Sequence, residues 1–328
     1  MIAKPDKTVI VTGGNSGLGY YCAKNIAANP EWHVILACRN SDKAAKAADQ
    51  LNATGTHNNV ETMSLDLASL VSIRNFAQSL STRERPPLRA LVCNAGLQIV
   101  TGTSYTQDGF ETTFGVNHLG HFLLVNLLLQ QLVAPARIVL VSSGTHDPAR
   151  KTGMVAPQYR HPKWLAYPDL KATAGEKPGT TGRRYYTTSK LCNVYCAYEF
   201  SRRLRSQGHS TPEHPIVVNA FDPGLMPGSG LARDYSWLQQ FLWYFILPGL
   251  TLLSAYINTP PTAGRALARL VLDPELEAVS GQYFAGWQAI PSSKESYDEA
   301  NAVELWDASA ELVQLTPEET ILTWGKVG

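Results

Sequence analysis

Twelve residues near the start of the chain decide its fold: Thr8-Val9-Ile10-Val11-Thr12-Gly13-Gly14-Asn15-Ser16-Gly17-Leu18-Gly19. An apolar β-branched run leads into a glycine-rich turn, which opens a helical pattern from Leu18 to Ala28. A strand, a glycine turn and a helix in this order predict a site where helix N–H groups face a pyrophosphate. Gly13 would permit the tight turn, Gly17 the close approach of the backbone to the anion, and Gly19 the close packing of helix on strand. Glycine spacing alone leaves a plain strand-to-helix turn as the alternative, and motifs further along the chain argue against it.

The composition predicts a globular chain rather than a nucleic-acid-binding or secreted one. The 328 residues are 44% hydrophobic and carry a formal net charge of +1, so we expect one large core and no nucleic acid as main partner. Met1 to Asp6 is short and polar, so we expect no signal peptide and a cytoplasmic location. Buried reduced thiols, rather than disulfides or a zinc site, are predicted for the five scattered cysteines, Cys22, Cys38, Cys93, Cys192 and Cys196.

Strand and helix patterns alternate along the whole chain. Seven apolar strands are predicted at Thr8–Thr12, His33–Cys38, Val60–Leu65, Leu88–Cys93, Arg137–Val141, Ile216–Ala220 and Gln282–Phe284. Besides the helix at Leu18, helices are predicted after an N-cap at Ser41, over Leu70–Leu80 after an N-cap at Ser69, over Phe110–Leu132 and over Tyr185–Arg205. This alternation predicts a single doubly wound, Rossmann-type α/β domain over residues 1–328, with a mostly parallel sheet covered on both faces.

The end of the second predicted strand indicates which dinucleotide is bound. An NAD-preferring fold usually has an acidic residue here to hold the ribose 2′-OH, whereas this chain has Cys38-Arg39-Asn40. Arg39 would pair well with a 2′-phosphate, so we expect NADP(H) as the cofactor. The alternative is an ordinary surface arginine at a strand end.

Several motifs occur in the order seen in short-chain dehydrogenases/reductases, and the resemblance covers almost the whole chain. They are Thr12-Gly-x-x-x-Gly17-x-Gly19, Asp66-Leu67, Asn94-Ala95-Gly96, Asn117, Ser142-Ser143, Tyr186-x-x-x-Lys190 and Pro223-Gly224. The predicted cofactor contacts are Gly13, Asn15, Ser16, Gly17, Leu18, Gly19, Arg39, Asp66, Leu67, Asn94, Ala95, Gly96, Tyr186, Lys190, Pro223 and Gly224. The resemblance implies hydride transfer to or from a carbonyl carbon.

Four residues are predicted to carry the chemistry. Tyr186 and Lys190 are four apart, so they share one face of a helix, and the Lys190 ammonium would favour the phenolate and lower the tyrosine pKa. Tyr186 would then serve as the acid/base, while Lys190 also holds the ribose hydroxyls. By the family motif, Ser143 rather than Ser142 would bond the substrate oxygen, and Asn117 would continue a proton relay through water.

A long insertion, Gly144 to Arg184, separates Ser143 from Tyr186 and carries eight basic and three acidic residues. Similar insertions occur in the retinol-dehydrogenase-like and light-dependent protochlorophyllide-reductase-like branches. The stretches 117–124, 189–193 and 305–309 resemble those branches as well. The chlorophyll-pathway enzyme carries a cysteine directly after its Pro-Gly, where this chain has Leu225. That difference argues against photochemical C=C reduction of a tetrapyrrole.

The segment of about 225–260 is predicted to be a substrate lid. It contains the apolar run Trp237 to Leu247, which Pro248 ends well short of the ~20 residues needed to span a bilayer. A core or dimer-contact helix and an interfacial helix at a membrane surface remain alternatives to the lid. The lid favours a bulky hydrophobic small-molecule substrate, and the sequence does not give the oligomeric state.

His118 and His121 have no carboxylate or cysteine placed to complete a metal site, so they are expected to be packed or hydrogen-bonded helix residues. The favoured function is an NADPH-dependent reductase of a carbonyl, or the reverse alcohol oxidation. An NADPH-binding sensor or scaffold without turnover is the alternative from another class, which the intact Ser143, Tyr186 and Lys190 set argues against.

Overall fold

The structure is a computed structural model that describes residues 4–171, 174–226 and 258–324. Its described strands form one eight-stranded sheet in the order β3-β2-β1-β4-β5-β6-β7-β8, parallel except for the last pair. The strands are β1 Lys7–Thr12, β2 Trp32–Cys38, β3 Val60–Ser64, β4 Leu88–Cys93, β5 Leu132–Val141, β6 Ile216–Asp222, β7 Tyr283–Ala285 and β8 Gln288–Ala289. The chain order reverses between β1 and β4, where doubly wound sheets bind ligands.

Helices cover both faces of the sheet, as near-continuous apolar parallel strands require. The helices are α1 Gly17–Ala27, α2 Ser41–Thr54, α3 Leu70–Ser81, α4 Thr112–Phe114, α5 Gly120–Leu129, α6 Pro162–Ala166, α7 Pro178–Ser206, α8 Pro260–Leu272 and α9 Glu299–Leu312. Apolar residues of α1, α2 and α8 form the core on one face, and those of α3, α5, α7 and α9 form the larger core on the other. The Rossmann-type α/β fold is confirmed, and all five cysteines are buried and free.

The sheet has one more strand than predicted, and β5 begins earlier in the chain. The two residues of β8 fold back antiparallel onto β7 as an eighth strand, too short to give a sequence pattern. Strand β5 begins at Leu132, which pairs with Leu88 beyond a register shift. The predicted strand started at Arg137, because Pro135, which lacks the N–H that a strand interior normally uses, precedes the run of β-branched and leucine residues.

The boundaries of the predicted helix Phe110–Leu132 and the N-cap of α2 also differ from prediction. The predicted helix Phe110–Leu132 begins at Thr112, because the Glu111 carboxylate caps it by accepting the Thr113 and Phe114 N–H groups at 2.9 and 2.7 Å. It runs through a π-helical turn, Gly115–Leu119, and ends at Leu129. The N-cap of α2 is Asn40, not Ser41, since the Asn40 Oδ1 accepts the Lys43 N–H at 2.8 Å. Ser69 caps α3 as predicted.

The structure describes the end of the insertion but not the apolar run of the predicted lid. Helix α7 starts at Pro178 rather than Tyr185, so the end of the insertion is helical. The predicted lid helix, 237–247, lies outside the described residues. None of the helices in the described ranges has the length and apolar character needed to traverse a bilayer.

Candidate active site

A cleft of about 1000 Å³ opens at the carboxyl ends of the parallel strands. It brings together most of the residues predicted from the sequence, namely Gly13, Asn15, Ser16, Gly17, Leu18, Arg39, Asp66, Leu67, Asn94, Ala95, Gly96, Tyr186, Lys190 and Pro223. Four predicted site residues are not among those lining it in the described part of the chain, namely Gly19, Asn117, Ser143 and Gly224.

The glycine-rich turn has the geometry that its sequence predicts. Gly13 and Gly17 have φ values of +64° and +54°, which L side chains rarely adopt. A Cβ on Gly17 would meet no heavy atom within 4 Å, whereas one on Gly19 would lie 2.7 Å from the Gly13 carbonyl oxygen. The Ser16 side chain makes no capping hydrogen bond to α1. Gly19 therefore allows close helix packing, and the open start of α1 beside Gly17 fits a pyrophosphate.

Two polar side chains fix the segment that follows β4. The Thr12 Oγ1 accepts the N–H groups of Asn94 and Ala95, each at 2.9 Å. Asn117 holds the other end, because its side-chain amide bonds both the N–H and the carbonyl of Leu97 at 2.9 Å. The Asn117 Nδ2 also donates to Ser189 on α7 at 3.0 Å. Asn117 therefore contributes to the site by holding its backbone, and a role in a proton relay stays a prediction.

The end of the cleft beyond β2 is basic. Arg39 is exposed there, and Lys43 and Lys46 of α2 line the same cleft. Of these three basic residues, only Arg39 was predicted from the sequence to contact the cofactor. The spacing of the two lysines, which places them on one face of the predicted helix directly after Arg39-Asn40, was the available signal.

Tyr186 and Lys190 lie on α7 at the opposite end of the predicted site. The Lys190 Nζ is 5.5 Å from the centroid of the Tyr186 ring and donates to the Val141 carbonyl at 3.0 Å. Both residues are buried at the cleft wall. Burial lowers the pKa of Lys190 to about 8, and the negative charge of Asp222 partly opposes this shift. A cation held beside a phenol at the cleft wall can stabilise the phenolate.

The two adjacent serines have different partners. The buried Ser142 Oγ donates to the Lys190 carbonyl at 2.7 Å and so ties β5 to α7. The Ser143 Oγ accepts the Thr145 N–H at 3.3 Å, at the start of a short 3₁₀ turn. The contact of Ser143 with substrate stays a prediction.

Sequence reasoning missed a charged pair beneath this end of the cleft. The Arg150 Nη1 lies 3.1 Å from Oδ2 of Asp222, whose side chain is 1% exposed. The Asp222 Oδ1 accepts the Gly224 N–H at 2.9 Å, so Asp222 also shapes the turn at Pro223-Gly224. Arg150 belongs to the insertion and also lies over the Tyr283 ring, 5.6 Å from its centroid. The pair joins residues 72 apart in the chain, which no local pattern announces.

The two histidines of the π-helical region are packed and hydrogen-bonded, as predicted. His118 Nε2 lies 2.9 Å from the Ser309 Oγ, and His121 Nε2 lies 2.9 Å from the Thr12 Oγ1. Among the described residues, no group of histidine, cysteine and carboxylate side chains could hold a metal ion.

Comparisons with known proteins identify the family of the chain. Residues 7–157 match the family model "short chain dehydrogenase", and residues 230–322 match "AcuH dehydrogenase domain". The chain is 36% identical over 314 residues to the zebrafish (Danio rerio) WW domain-containing oxidoreductase, covering 94% of this chain and 69% of that protein. It is 35% identical over 331 residues to chloroplastic protochlorophyllide reductase of carrot (Daucus carota), covering 94% and 78%.

A solved structure has the same fold. A putative uncharacterized protein from Mycobacterium paratuberculosis superposes with a TM-score of 0.70 at 27% identity, over 98% of this chain and 96% of that one. The two relatives and this solved structure each match at least 94% of the chain, and the family model matches its first half. The chain belongs to the short-chain dehydrogenase/reductase family of oxidoreductases, in the branch that contains these two relatives.

Proposed function

We propose that this protein is an NADP(H)-dependent oxidoreductase that reduces a bulky hydrophobic carbonyl, or oxidises the matching alcohol. The observation that carries the proposal is the placement of Tyr186 and the Lys190 ammonium, 5.5 Å from the ring, in one cleft with the glycine-rich turn. We treat residues 1–328 as one domain with the insertion at 144–184 and a lid over about 225–260. The substrate class rests on the apolar sequence of 237–247.

The residues of the cleft fit a dinucleotide. The open backbone at Gly17 and the start of α1 would hold the pyrophosphate, and Asp66 and Leu67 would lie near the adenine. Arg39, with Lys43 and Lys46, would hold a 2′-phosphate, for which their charge is suited. NADPH, when bound, supplies the hydride that reduces the carbonyl carbon.

The protein's own residues would handle the proton. The Tyr186 hydroxyl donates its proton to the carbonyl oxygen, and Ser143 orients that oxygen by a hydrogen bond. The Lys190 ammonium stabilises the resulting phenolate and holds the ribose hydroxyls. A proton from solvent would then return to the Tyr186 phenolate through a water relay in which Asn117 takes part. General acid catalysis of this kind contributes about 10²–10⁴ in rate.

The test is a pair of neighbouring tyrosine variants. Purified protein is screened for NADPH oxidation with apolar aldehydes and ketones of increasing size. Tyr186→Phe should lower kcat by at least about 100-fold while NADPH still binds, because only the proton donor is lost. Tyr185→Phe, one residue away, serves as the matched control and should retain activity. Near-full activity of Tyr186→Phe would refute the acid/base assignment.

A second candidate is light-dependent protochlorophyllide-type C=C reduction, which the 35% identity to the carrot enzyme favours. The half-buried Leu225 argues against it, because the resemblance to the protochlorophyllide-reductase-like branch implies a cysteine at this position after Pro223-Gly224. Absorbance spectra with NADPH and the pigment, before and after illumination, decide between the two. Light-dependent product would replace our proposal, whereas NADPH binding with no turnover of any substrate would favour a sensor or scaffold.

A further inference from the structure

One buried histidine connects the two side chains that hold the segment after β4. The His121 Nε2 lies 2.9 Å from the Thr12 Oγ1, and its Nδ1 lies 3.2 Å from the backbone carbonyl oxygen of Asn117. Thr12 binds the start of the Asn94–Leu97 segment and Asn117 binds its end. The imidazole therefore bridges the residue that precedes the glycine turn and the π-helical turn that carries Asn117.

The contacts of Thr12 determine the direction of its hydrogen bond with His121. A hydroxyl offers one donor and two acceptor positions. The Asn94 and Ala95 N–H groups occupy both acceptor positions at 2.9 Å. The hydroxyl proton is then directed at the His121 Nε2 at 2.9 Å, in preference to the Val92 carbonyl at 3.4 Å. Nε2 must therefore be the unprotonated nitrogen.

The contact at the other ring nitrogen leads to the same tautomer independently. A backbone carbonyl can only accept, so the contact of Nδ1 with Asn117 is a hydrogen bond only if Nδ1 carries the proton. Full burial also disfavours the charged ring and lowers the pKa of His121 to about 4. Both neighbours thus require a neutral imidazole with its proton on Nδ1.

We propose that His121 is a positioning residue, a neutral Nδ1-protonated imidazole that couples Thr12 to Asn117 and thereby fixes the Asn94–Leu97 segment. A Cβ on Gly96 would lie 3.4 Å from the Asn117 Oδ1 and 3.5 Å from the Lys190 Nζ, so this segment lies directly against the proposed catalytic lysine. The consequence for cofactor binding and turnover rests on the proposed function. The tautomer and the order of the backbone do not.

The tautomer is measured by long-range ¹H–¹⁵N NMR on histidine-labelled protein. The His121 signals are assigned by their loss in His121→Gln. We expect Nδ1 to show the shift of a protonated nitrogen and Nε2 that of an unprotonated one. A ring protonated on Nε2 alone, or on both nitrogens, would overturn the proposal.

Two variants separate the two contacts of the ring. By side-chain length, Asn places its amide where Nδ1 lies, and Gln places its amide where Nε2 lies. His121→Asn should keep the bond to Asn117 but lose Thr12, so hydrogen exchange at the Asn94 and Ala95 amides and the Kd for NADPH should each rise about three- to tenfold. His121→Gln should leave the exchange of the Asn94 and Ala95 amides and the Kd for NADPH near their native values. It should lower kcat instead, because it loses the bond to Asn117.

The control is His118→Gln, which alters a buried histidine of the neighbouring π-helical turn, Gly115–Leu119, whose Nε2 lies 2.9 Å from Ser309 on α9. It should lower stability without accelerating exchange at Asn94 and Ala95 beyond the global change. If His121→Asn and His118→Gln alter exchange equally, His121 is a packing residue and the proposal fails. If the native protein binds no NADPH, the proposed function fails, while the tautomer and exchange measurements still decide the role of His121.

Discussion

The two ends of the cleft are built in different ways. At the nucleotide end, Gly13, Gly17 and Arg39 follow directly on β1 and β2, and their positions depend on turns of a few residues. At the reaction end, Lys190 is held by the Val141 carbonyl, and the buried Asp222 is paired with Arg150 from the insertion. Local sequence therefore encodes the nucleotide end, whereas contacts between distant parts of the chain complete the reaction end.

The largest effect expected from this difference is on stability at the reaction end. Arg150→Met leaves the buried Asp222 carboxylate without its hydrogen-bonded cation and should lower the free energy of unfolding by about 3–5 kcal/mol. Arg150→Met/Asp222→Asn should recover part of that loss, because it removes the uncompensated charge as well. Urea unfolding of the three proteins measures both effects.

The control is the more exposed pair of Arg74 and Glu319, 2.6 Å apart. Arg74→Met should cost less than Arg150→Met, because water can solvate the remaining Glu319 carboxylate. Equal costs for the two arginine variants would mean that Arg150 contributes no more to stability than the more exposed Arg74. The contrast between the two ends of the cleft would then have no energetic basis.

The next effect concerns coenzyme choice at the nucleotide end. Native protein should bind NADPH more tightly than NADH by about 10- to 100-fold, since charge-assisted hydrogen bonds to the 2′-phosphate would be made only with NADPH. Arg39→Asp should erase or reverse this preference. Fluorescence titration with both coenzymes measures it, and Lys4→Asp, a charge change of the same size at an exposed residue outside the cleft lining, is the control. Equal affinities in the native protein would leave Arg39 as a surface residue.

The features that could be predicted from the sequence also differ between the nucleotide end and the reaction end of the cleft. The glycine turn and the Tyr186–Lys190 face came from patterns a few residues long, and the Rossmann-type fold came from the alternation of strand and helix patterns along the chain. Asp222 and Arg150 were missed because their pairing depends on how the insertion folds back onto β6. The His121 bridge was missed for the same reason, since Thr12 is 109 residues away. The predicted start of β5 was wrong because Pro135, which has no N–H, interrupts the strand pattern, although the strand begins before it, at Leu132.

The third effect is on pH dependence at the reaction end. Lys190 has a pKa lowered to about 8, so it is charged below that pH and loses its charge as the pH rises through it. The rate supported by the ammonium should therefore fall above about pH 8, by roughly tenfold per unit at most. Lys190→Arg retains a charged group at high pH, so its kcat should be lower but should not show this fall. Profiles of kcat between pH 6 and 10 test this, and a native profile flat to pH 10 would exclude Lys190 as the titrating group.

The smallest effect tests the statement that short-range contacts build the nucleotide end. Asn40 caps α2 through its Oδ1, which accepts the Lys43 N–H at 2.8 Å, whereas the neighbouring Ser41 is the first residue of the helix. Asn40→Ala leaves that N–H without its side-chain partner and should lower the free energy of unfolding by about 1 kcal/mol. Ser41→Ala, the matched control, should cost less than about 0.5 kcal/mol, because alanine is the better helix former and no capping bond is lost.

Both cap variants are compared by urea unfolding without nucleotide, because Asn40 also lines the cleft. A larger loss from Ser41→Ala would make Ser41 the N-cap, as predicted from the sequence. A loss well above about 2 kcal/mol from Asn40→Ala would exceed what one cap contributes. The start of α2 would then depend on contacts beyond its own turn, and the two ends of the cleft would differ less than the short-range contacts at Arg39 and Asn40 imply.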